Sequence, residues 1–143
     1  MSIWFRQYSI DEIRALQQGT MDAYLGIEFV NIGPDHVDAR MPVDERTLQA
    51  HSTLHGGASV ALAETLGSVG GSMVVDQERY LVLGQEINAN HLRRVRQGHV
   101  HGRARPIHLG RRSQVWGIEI VDDQQRLVCV SRLTLAVIER PPE

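Results

Sequence analysis

Four runs rich in apolar residues, each with interspersed polar positions, lie in the second half of the chain. The runs cover residues 81–89, 99–105, 113–121 and 126–138. Runs of this composition and length are typical of β-strands, so each predicts a strand. In the first half, the runs 29–32 and 36–43 flank a Gly-Pro-Asp turn and predict two more strands. Pro42 marks either the end of the second of these or an edge of the sheet.

The longest apolar stretch lies between these two groups of strands, from about residue 55 to residue 75. Small residues dominate it, and Glu64 is its only charged residue. It predicts a helix of roughly 30 Å at 1.5 Å per residue. Glycines at 67, 70 and 71 disfavour a membrane span, but a buried helix tolerates them where neighbouring backbone approaches closely. A long central helix wrapped by a curved, largely antiparallel sheet is an α+β fold, in one domain over residues 1–143.

Charge and cysteine content exclude several classes of protein. A net charge of -2 argues against a nucleic-acid-binding protein, which carries a concentrated basic excess. The single cysteine, Cys129, excludes an intrachain disulfide and a cysteine-based zinc site. It is also typical of a reducing compartment, and the N-terminal residues lack the apolar core of a signal peptide, so a cytoplasmic protein is predicted. His99 and His101 share a strand face without a third ligand at useful spacing, so no metal site is predicted.

Glu64 and the Gly56-Gly57 pair indicate an enzyme. Burying a carboxylate on an otherwise apolar helix costs free energy unless the group has a catalytic use or an ion-pair partner. The alternative to a catalytic role is therefore a structural ion pair with an arginine. The glycine pair leaves bare backbone N–H groups at the start of the helix, where they can hold an oxygen that becomes negative. A nucleophile or base beside such an oxyanion site is the equipment for acyl transfer. No Gly-x-Ser-x-Gly pattern is present, so an α/β-hydrolase triad is not predicted.

The residues around this helix start resemble a known family. The pattern is Thr47-x-Gln49-x5-His55-Gly56-Gly57-Ala58-x5-Glu64-x3-Ser68. It resembles the hotdog-fold acyl-CoA thioesterases of the phenylacetate-degradation type. Among these, it is similar to the bacterial aryl-CoA thioesterases that hydrolyse 1,4-dihydroxy-2-naphthoyl-CoA in menaquinone biosynthesis. The likeness continues through residues 84–91, 106–111, 114–120 and 131–134 and so spans most of the chain.

The resemblance implies a role for five residues near the thioester. Glu64 would be the nucleophile, forming an anhydride, or the general base that activates water. The Gly56 N–H would polarise the thioester carbonyl. His55 would donate to the substrate oxygen or hold the loop, the alternative being a simple helix cap. Gln49 would contact the thioester or position water, and Ser68, four residues after Glu64, would orient the carboxylate or a water.

The resemblance also implies partners and a binding rim. The partners expected are the acyl-CoA and a second copy of the chain, in a homodimer that pairs further into a dimer of dimers. No metal and no cofactor are implied, because the CoA is part of the substrate. The CoA phosphates require positively charged side chains at the edge of the pocket, which we call the basic rim. The candidates for this rim are Arg93, the other arginines of segment 93–96, and the pair Arg111 and Arg112. Asn90 and His91 either line the acyl pocket or form a hydrogen-bonded pair at a strand end.

Hydrolysis of an aromatic acyl-CoA, such as benzoyl-CoA, to the free acid and CoA is the function predicted. One alternative is a hotdog hydratase or dehydratase, whose acid or base must reach the acyl α and β carbons. A carboxylate nine residues after His55 suits attack on the carbonyl better. The other alternative is a non-catalytic acyl-CoA-binding protein, which gains nothing from the desolvation of Glu64.

Helix geometry predicts that each site is shared between subunits. Gly56 and Glu64 are eight residues apart, which places them about 12 Å apart along one helix and turned by about 80°. A thioester held at Gly56 therefore lies out of reach of Glu64 on the same helix. A twofold axis would bring the Glu64 and Ser68 of one subunit to the Gln49 and Gly56 of the other.

Overall fold

The computed structural model describes residues 1–142, which form three α-helices and six β-strands. The elements are α1 (Ile10–Gln17), α2 (Met21–Leu25), β1 (Glu28–Ile32), β2 (Val37–Pro42), α3 (Gly56–Val74), β3 (Tyr80–His91), β4 (His99–Leu109), β5 (Ser113–Asp122) and β6 (Leu127–Glu139). The predicted α+β fold is confirmed, with one long helix packed on a six-stranded antiparallel sheet. All six predicted strands are present. β4 runs four residues beyond its predicted end at 105, because a bulge between Pro106 and His108 admits the proline.

The sheet has the order β1-β2-β4-β5-β6-β3, and every neighbouring pair is antiparallel. β3 is 12 residues long and pairs with β6 along one side, so its other side is an edge of the sheet. A register shift between Gly84 and Glu86 interrupts this pairing near the middle of β3. A long strand edge is a template on which another chain can add a strand.

Helix α3 fills the concave side of the sheet. Leu62, Leu66 and Met73 are buried on the helix and Trp116 and Leu133 on the sheet, in one continuous core. The glycines of α3 admit sheet side chains rather than the neighbouring backbone expected from sequence: a Cβ at position 67 would lie 2.5 Å from Leu133. Between residues 1 and 142, no helix is long and apolar enough to cross a membrane.

The segment before α1 closes one end of this core. Trp4 stacks on the buried Trp116, with ring centroids 6.3 Å apart and planes within 8° of parallel. The Trp4 indole N–H donates to the Gly33 carbonyl at 2.7 Å. The Trp116 N–H donates to Gln114, whose own amide donates to the Gly71 carbonyl of α3. The N-terminal segment is thereby joined to the sheet and, through Gln114, to the helix.

The loop between β2 and α3 is fixed at both ends by hydrogen bonds. The hydroxyl of Thr47, 1% exposed, donates to the Pro42 carbonyl at 2.8 Å. The Thr47 carbonyl accepts from the His55 N–H at 2.8 Å, and the Leu54 N–H donates to the Val95 carbonyl at 2.7 Å. These bonds set where α3 begins, and therefore where its first N–H groups point.

Candidate active site

The first turn of α3 presents one free backbone donor. The Gly57 N–H donates to Nδ1 of His55 at 2.8 Å, and the N–H groups of Ala58 and Ser59 donate to the His55 carbonyl. The Gly56 N–H finds no acceptor within residues 1–142. A free N–H at the positive end of a 19-residue helix is well suited to an oxygen that gains negative charge.

The cap hydrogen bond also defines the tautomer of His55. Its Nδ1 accepts from a backbone N–H, which is always a donor, so the neutral ring carries its proton on Nε2. The interpretation of His55 as a helix cap is therefore correct. The Nε2–H remains available as the donor that the predicted contact with a substrate oxygen requires.

A pocket of about 400 Å³ opens beside Gly56. Its lining includes Gln49, Gly56, Ser59, His91 and Arg93. The imidazole of His91 lies against the backbone of Gly56, where a Cβ would be only 2.8 Å from its Nε2. A side chain at position 56 would therefore displace His91 from the wall of the pocket.

Glu64 lies two turns further along α3, half-buried and without an ion pair or hydrogen bond to any residue from 1 to 142. The structural alternative, an ion pair with an arginine, is therefore not formed within residues 1–142. Burial raises the pKa of the Glu64 carboxyl above its ordinary value of 4.5. Its Oε1 lies against Gly84 of β3, where a Cβ would be 2.5 Å away. A side chain at position 84 would therefore displace the Glu64 carboxylate from this place.

Within residues 1–142, the Glu64 carboxylate does not line the pocket beside Gly56. This separation is expected for residues eight apart on a continuous helix. Ser68 is half-buried on the same face as Glu64, but no hydrogen bond joins their side chains. Its role toward the carboxylate stays a prediction.

Comparison with known proteins decides the family. The model of the thioesterase superfamily matches residues 51–129, which include the start of α3, Glu64 and most of the sheet. The chain belongs to the thioesterase superfamily. The predicted resemblance is confirmed, and the hotdog fold is that of this family.

Relatives of this thioesterase match along nearly the whole chain. It is 50% identical over 136 residues to the 1,4-dihydroxy-2-naphthoyl-CoA hydrolase of Escherichia coli, covering 95% of this chain and 99% of that protein. It is 48% identical to the proofreading thioesterase EntH of Cronobacter turicensis, covering 95% and 98%. A mutant thioesterase from Pseudomonas aeruginosa has a structure with a TM-score of 0.96 and 42% identity, covering 97% of this chain and 100% of that chain.

The predicted binding residues of the thioesterase fall in three places. His91 and Arg93 line the pocket beside Gly56, and Arg94 joins them there. Asn90, the next residue back along β3, points to the opposite face of the sheet, because neighbouring strand residues alternate. Arg111 and Arg112 lie in the turn after β4, beside Tyr80 at the start of β3 and away from this pocket in their own chain.

Two residues of the site carried little signal in the sequence. Gly84 was part of the matching strand motif, and an isolated glycine within a strand run is a sign of close approach by another group. Only the fold shows that this group is Glu64. Thr53 is buried, lines the pocket and bonds the Gln49 side chain, and nothing in the pattern of the loop distinguishes it from a surface threonine.

Proposed function

We propose that this thioesterase hydrolyses aromatic acyl-CoA thioesters to the free acid and CoA. Benzoyl-CoA and 1,4-dihydroxy-2-naphthoyl-CoA are the substrates proposed, the second because the Escherichia coli relative is named for its hydrolysis, which would place the enzyme in menaquinone biosynthesis. The observation that carries the proposal is a half-buried, unpaired carboxylate, Glu64, together with the free Gly56 N–H. Neither group has a hydrogen-bond or ion-pair partner among residues 1–142.

In the proposed mechanism, the thioester carbonyl oxygen accepts from the Gly56 N–H, and the helix dipole stabilises the charge that develops on it. The Glu64 carboxylate then attacks the carbonyl carbon, the C–S bond breaks, and CoA leaves as a thiolate. Water hydrolyses the resulting anhydride, releasing the acid and regenerating the carboxylate. Alternatively, Glu64 takes a proton from a water that attacks directly, and passes it to the departing sulfur. Both routes give the same products.

The geometry of β3 supports a site made by two subunits. Within one chain, Glu64 lies against Gly84 and Gly56 lies against His91, and both contacts are made to β3. Pairing the free β3 edges of two copies in an antiparallel twofold manner can place Gly84 opposite His91 of the partner subunit. That register brings Glu64 of each chain toward Gly56 of the other. We propose this homodimer as the active unit, with further pairing into a dimer of dimers.

The same register would assemble the proposed CoA rim. Arg111 and Arg112 lie beside Tyr80, four residues before Gly84 on β3. In the proposed dimer, this end of β3 faces the segment just after His91 of the other subunit. Arg93 and Arg94 belong to that segment, so arginines from both chains would border each pocket.

A thiol-trapping assay tests the proposed function. Benzoyl-CoA and a straight-chain acyl-CoA, such as decanoyl-CoA, are supplied at equal concentrations, and free CoA is measured with time. We expect CoA release from benzoyl-CoA with the higher kcat/KM. If neither ester releases CoA, hydrolysis is contradicted. Calorimetric binding of the esters without turnover would then indicate a binding protein. Water addition to an enoyl-CoA would indicate a hydratase. Faster release from decanoyl-CoA contradicts the aromatic preference.

Neutralising the double arginine should weaken substrate binding far more than it slows chemistry. In an Arg111→Gln/Arg112→Gln variant, we expect KM for benzoyl-CoA to rise roughly tenfold with kcat nearly unchanged. Contacts to the remote phosphates are equally strong in the ground and transition states, so their loss appears in KM. The difference from wild type should shrink at high salt, which screens these contacts. An Arg40→Gln variant, on β2, is the control for loss of an exposed arginine, and an unchanged KM in the double variant would remove Arg111 and Arg112 from the rim.

A further inference from the structure

The loop that carries Gln49 closes tightly on itself before α3 begins. Leu48 and Leu54 form an antiparallel bridge. Inside it, the Gln49 N–H donates to the Thr53 carbonyl at 2.8 Å and the Ser52 N–H donates to the Gln49 carbonyl at 2.9 Å. Ser52 has a φ of 59°, in the left-handed region that a non-glycine residue seldom adopts. Gln49 and Thr53 are thus held opposite each other at the neck of the turn.

The side chain of Gln49 is held at both ends of its amide. Its Oε1 accepts from the His51 N–H at 2.6 Å. A backbone N–H is always a donor, so this bond fixes which end of the amide is oxygen. Its Nε2 then donates one hydrogen to Oγ1 of Thr53, also at 2.6 Å. The second N–H of Nε2 is left over.

Thr53 is suited to a positioning role. It is 4% exposed, and with Gln49 it lines the same pocket as Gly56. A free glutamine side chain loses rotamer entropy when it is fixed in one geometry. A bond that fixes it before the substrate arrives removes this cost from the binding and chemical steps.

We propose that Thr53 is a positioning residue that acts through Gln49. It holds the Gln49 amide with Nε2 as the available donor, so that Gln49 donates to the thioester oxygen alongside the Gly56 N–H. Of the two roles predicted for Gln49, contact with the thioester is thereby preferred over positioning of water as an acceptor. The inference rests on the proposed function of the pocket, since it requires a thioester oxygen near Gly56.

The test compares T53V, T53S, Q49A and the double variant T53V/Q49A in the thiol-trapping assay with benzoyl-CoA. T53V removes the hydroxyl and keeps the side-chain shape, and T53S keeps the hydroxyl. We expect T53V to lower kcat about tenfold with KM within about twofold of wild type, and T53S to restore kcat to within about twofold. In the Q49A background, T53V should have no further effect, because the group it acts through is gone.

Two controls separate positioning from folding. Thermal unfolding of each variant is measured, and Thr20→Val serves as a matched loss of a threonine hydroxyl, since Thr20 bonds the Gln17 carbonyl in the connection between α1 and α2. Thr20→Val should leave kcat unchanged. If T53V does not fold, T53A replaces it in the same comparison.

Two outcomes would overturn the inference. One is a kcat of T53V within twofold of wild type. The other is a kcat of T53V/Q49A that is lower than that of Q49A by the same factor by which T53V lowers kcat in the wild type. Either result would be obtained on an enzyme that still releases CoA, so it leaves the proposed function intact. Failure of wild type to release CoA at all would instead refute the proposed function.

Discussion

Glu64→Gln should lower kcat for benzoyl-CoA by about a hundred- to ten-thousandfold, the range for loss of a positioned base or nucleophile. The amide keeps the shape of the side chain but can neither attack the carbonyl nor take a proton from water. KM should change little, because the carboxylate acts mainly in the transition state. Steady-state thiol trapping measures both constants, and Glu78→Gln, in the connection between α3 and β3, is the control for a lost carboxylate. A Glu64→Gln enzyme within about threefold of wild type would refute the central role of Glu64.

The pH dependence of the same variant gives an independent check. Burial raises the pKa of Glu64, and the working form is ionised, so wild-type kcat/KM should fall with decreasing pH through a value above 4.5. The residual activity of Glu64→Gln should lack this acid limb. A raised pKa also means that the folded state favours the protonated carboxyl, so ionised Glu64 reduces stability above that pKa. At pH 7, Glu64→Gln should therefore unfold at the same or a higher temperature than wild type, and this difference should shrink as the pH falls through the pKa.

Mixing two variants that each retain only a small residual activity should restore about a quarter of wild-type activity. Glu64→Ala lacks the carboxylate, and Gln49→Ala lacks the donor of the other half-site. With random exchange at equal amounts, about half of the dimers are mixed, and each of these has one site with both residues intact. The other site of a mixed dimer lacks both. The activity regained should appear with the kinetics of subunit exchange, which native mass spectrometry of isotope-labelled chains follows in parallel.

The matched control for this experiment mixes Glu64→Ala with Glu64→Gln. Every dimer in that mixture lacks a working carboxylate, so exchange should restore nothing. If mass spectrometry shows mixed dimers of Glu64→Ala and Gln49→Ala and no activity returns, each site lies within one chain. That result would contradict the shared site while leaving hydrolysis by Glu64 in place.

Features that depend on short stretches of sequence could be predicted here. The period of two in residues 36–43 and the single charge at Glu64 on an apolar helix are local signals. They sufficed for the strands, for the limits of α3 and for the family. The Gly56 N–H could likewise be inferred, because the first N–H groups of any helix lack partners within it.

Features that depend on strands distant in sequence could not be predicted. β3 and β6 are neighbours although two strands lie between them in the chain, and only this pairing shows that β3 ends the sheet. The contact of Gly84 with Glu64, and the separation of Arg111 from the pocket of its own chain, follow from that order. The sequence predicts one shared role for Asn90 and His91 because they are adjacent, but the two side chains lie on opposite faces of one strand.

The separation of Gly56 and Glu64 by eight positions on α3 has a consequence for how activity depends on concentration. Under the proposed arrangement, a newly made chain contains each catalytic group and still has no complete site. Activity then follows mass action: far below the dimer dissociation constant, total rate rises with the square of the chain concentration. A cell that makes few copies would have almost no thioesterase activity, and a modest rise in synthesis would increase it more than proportionally.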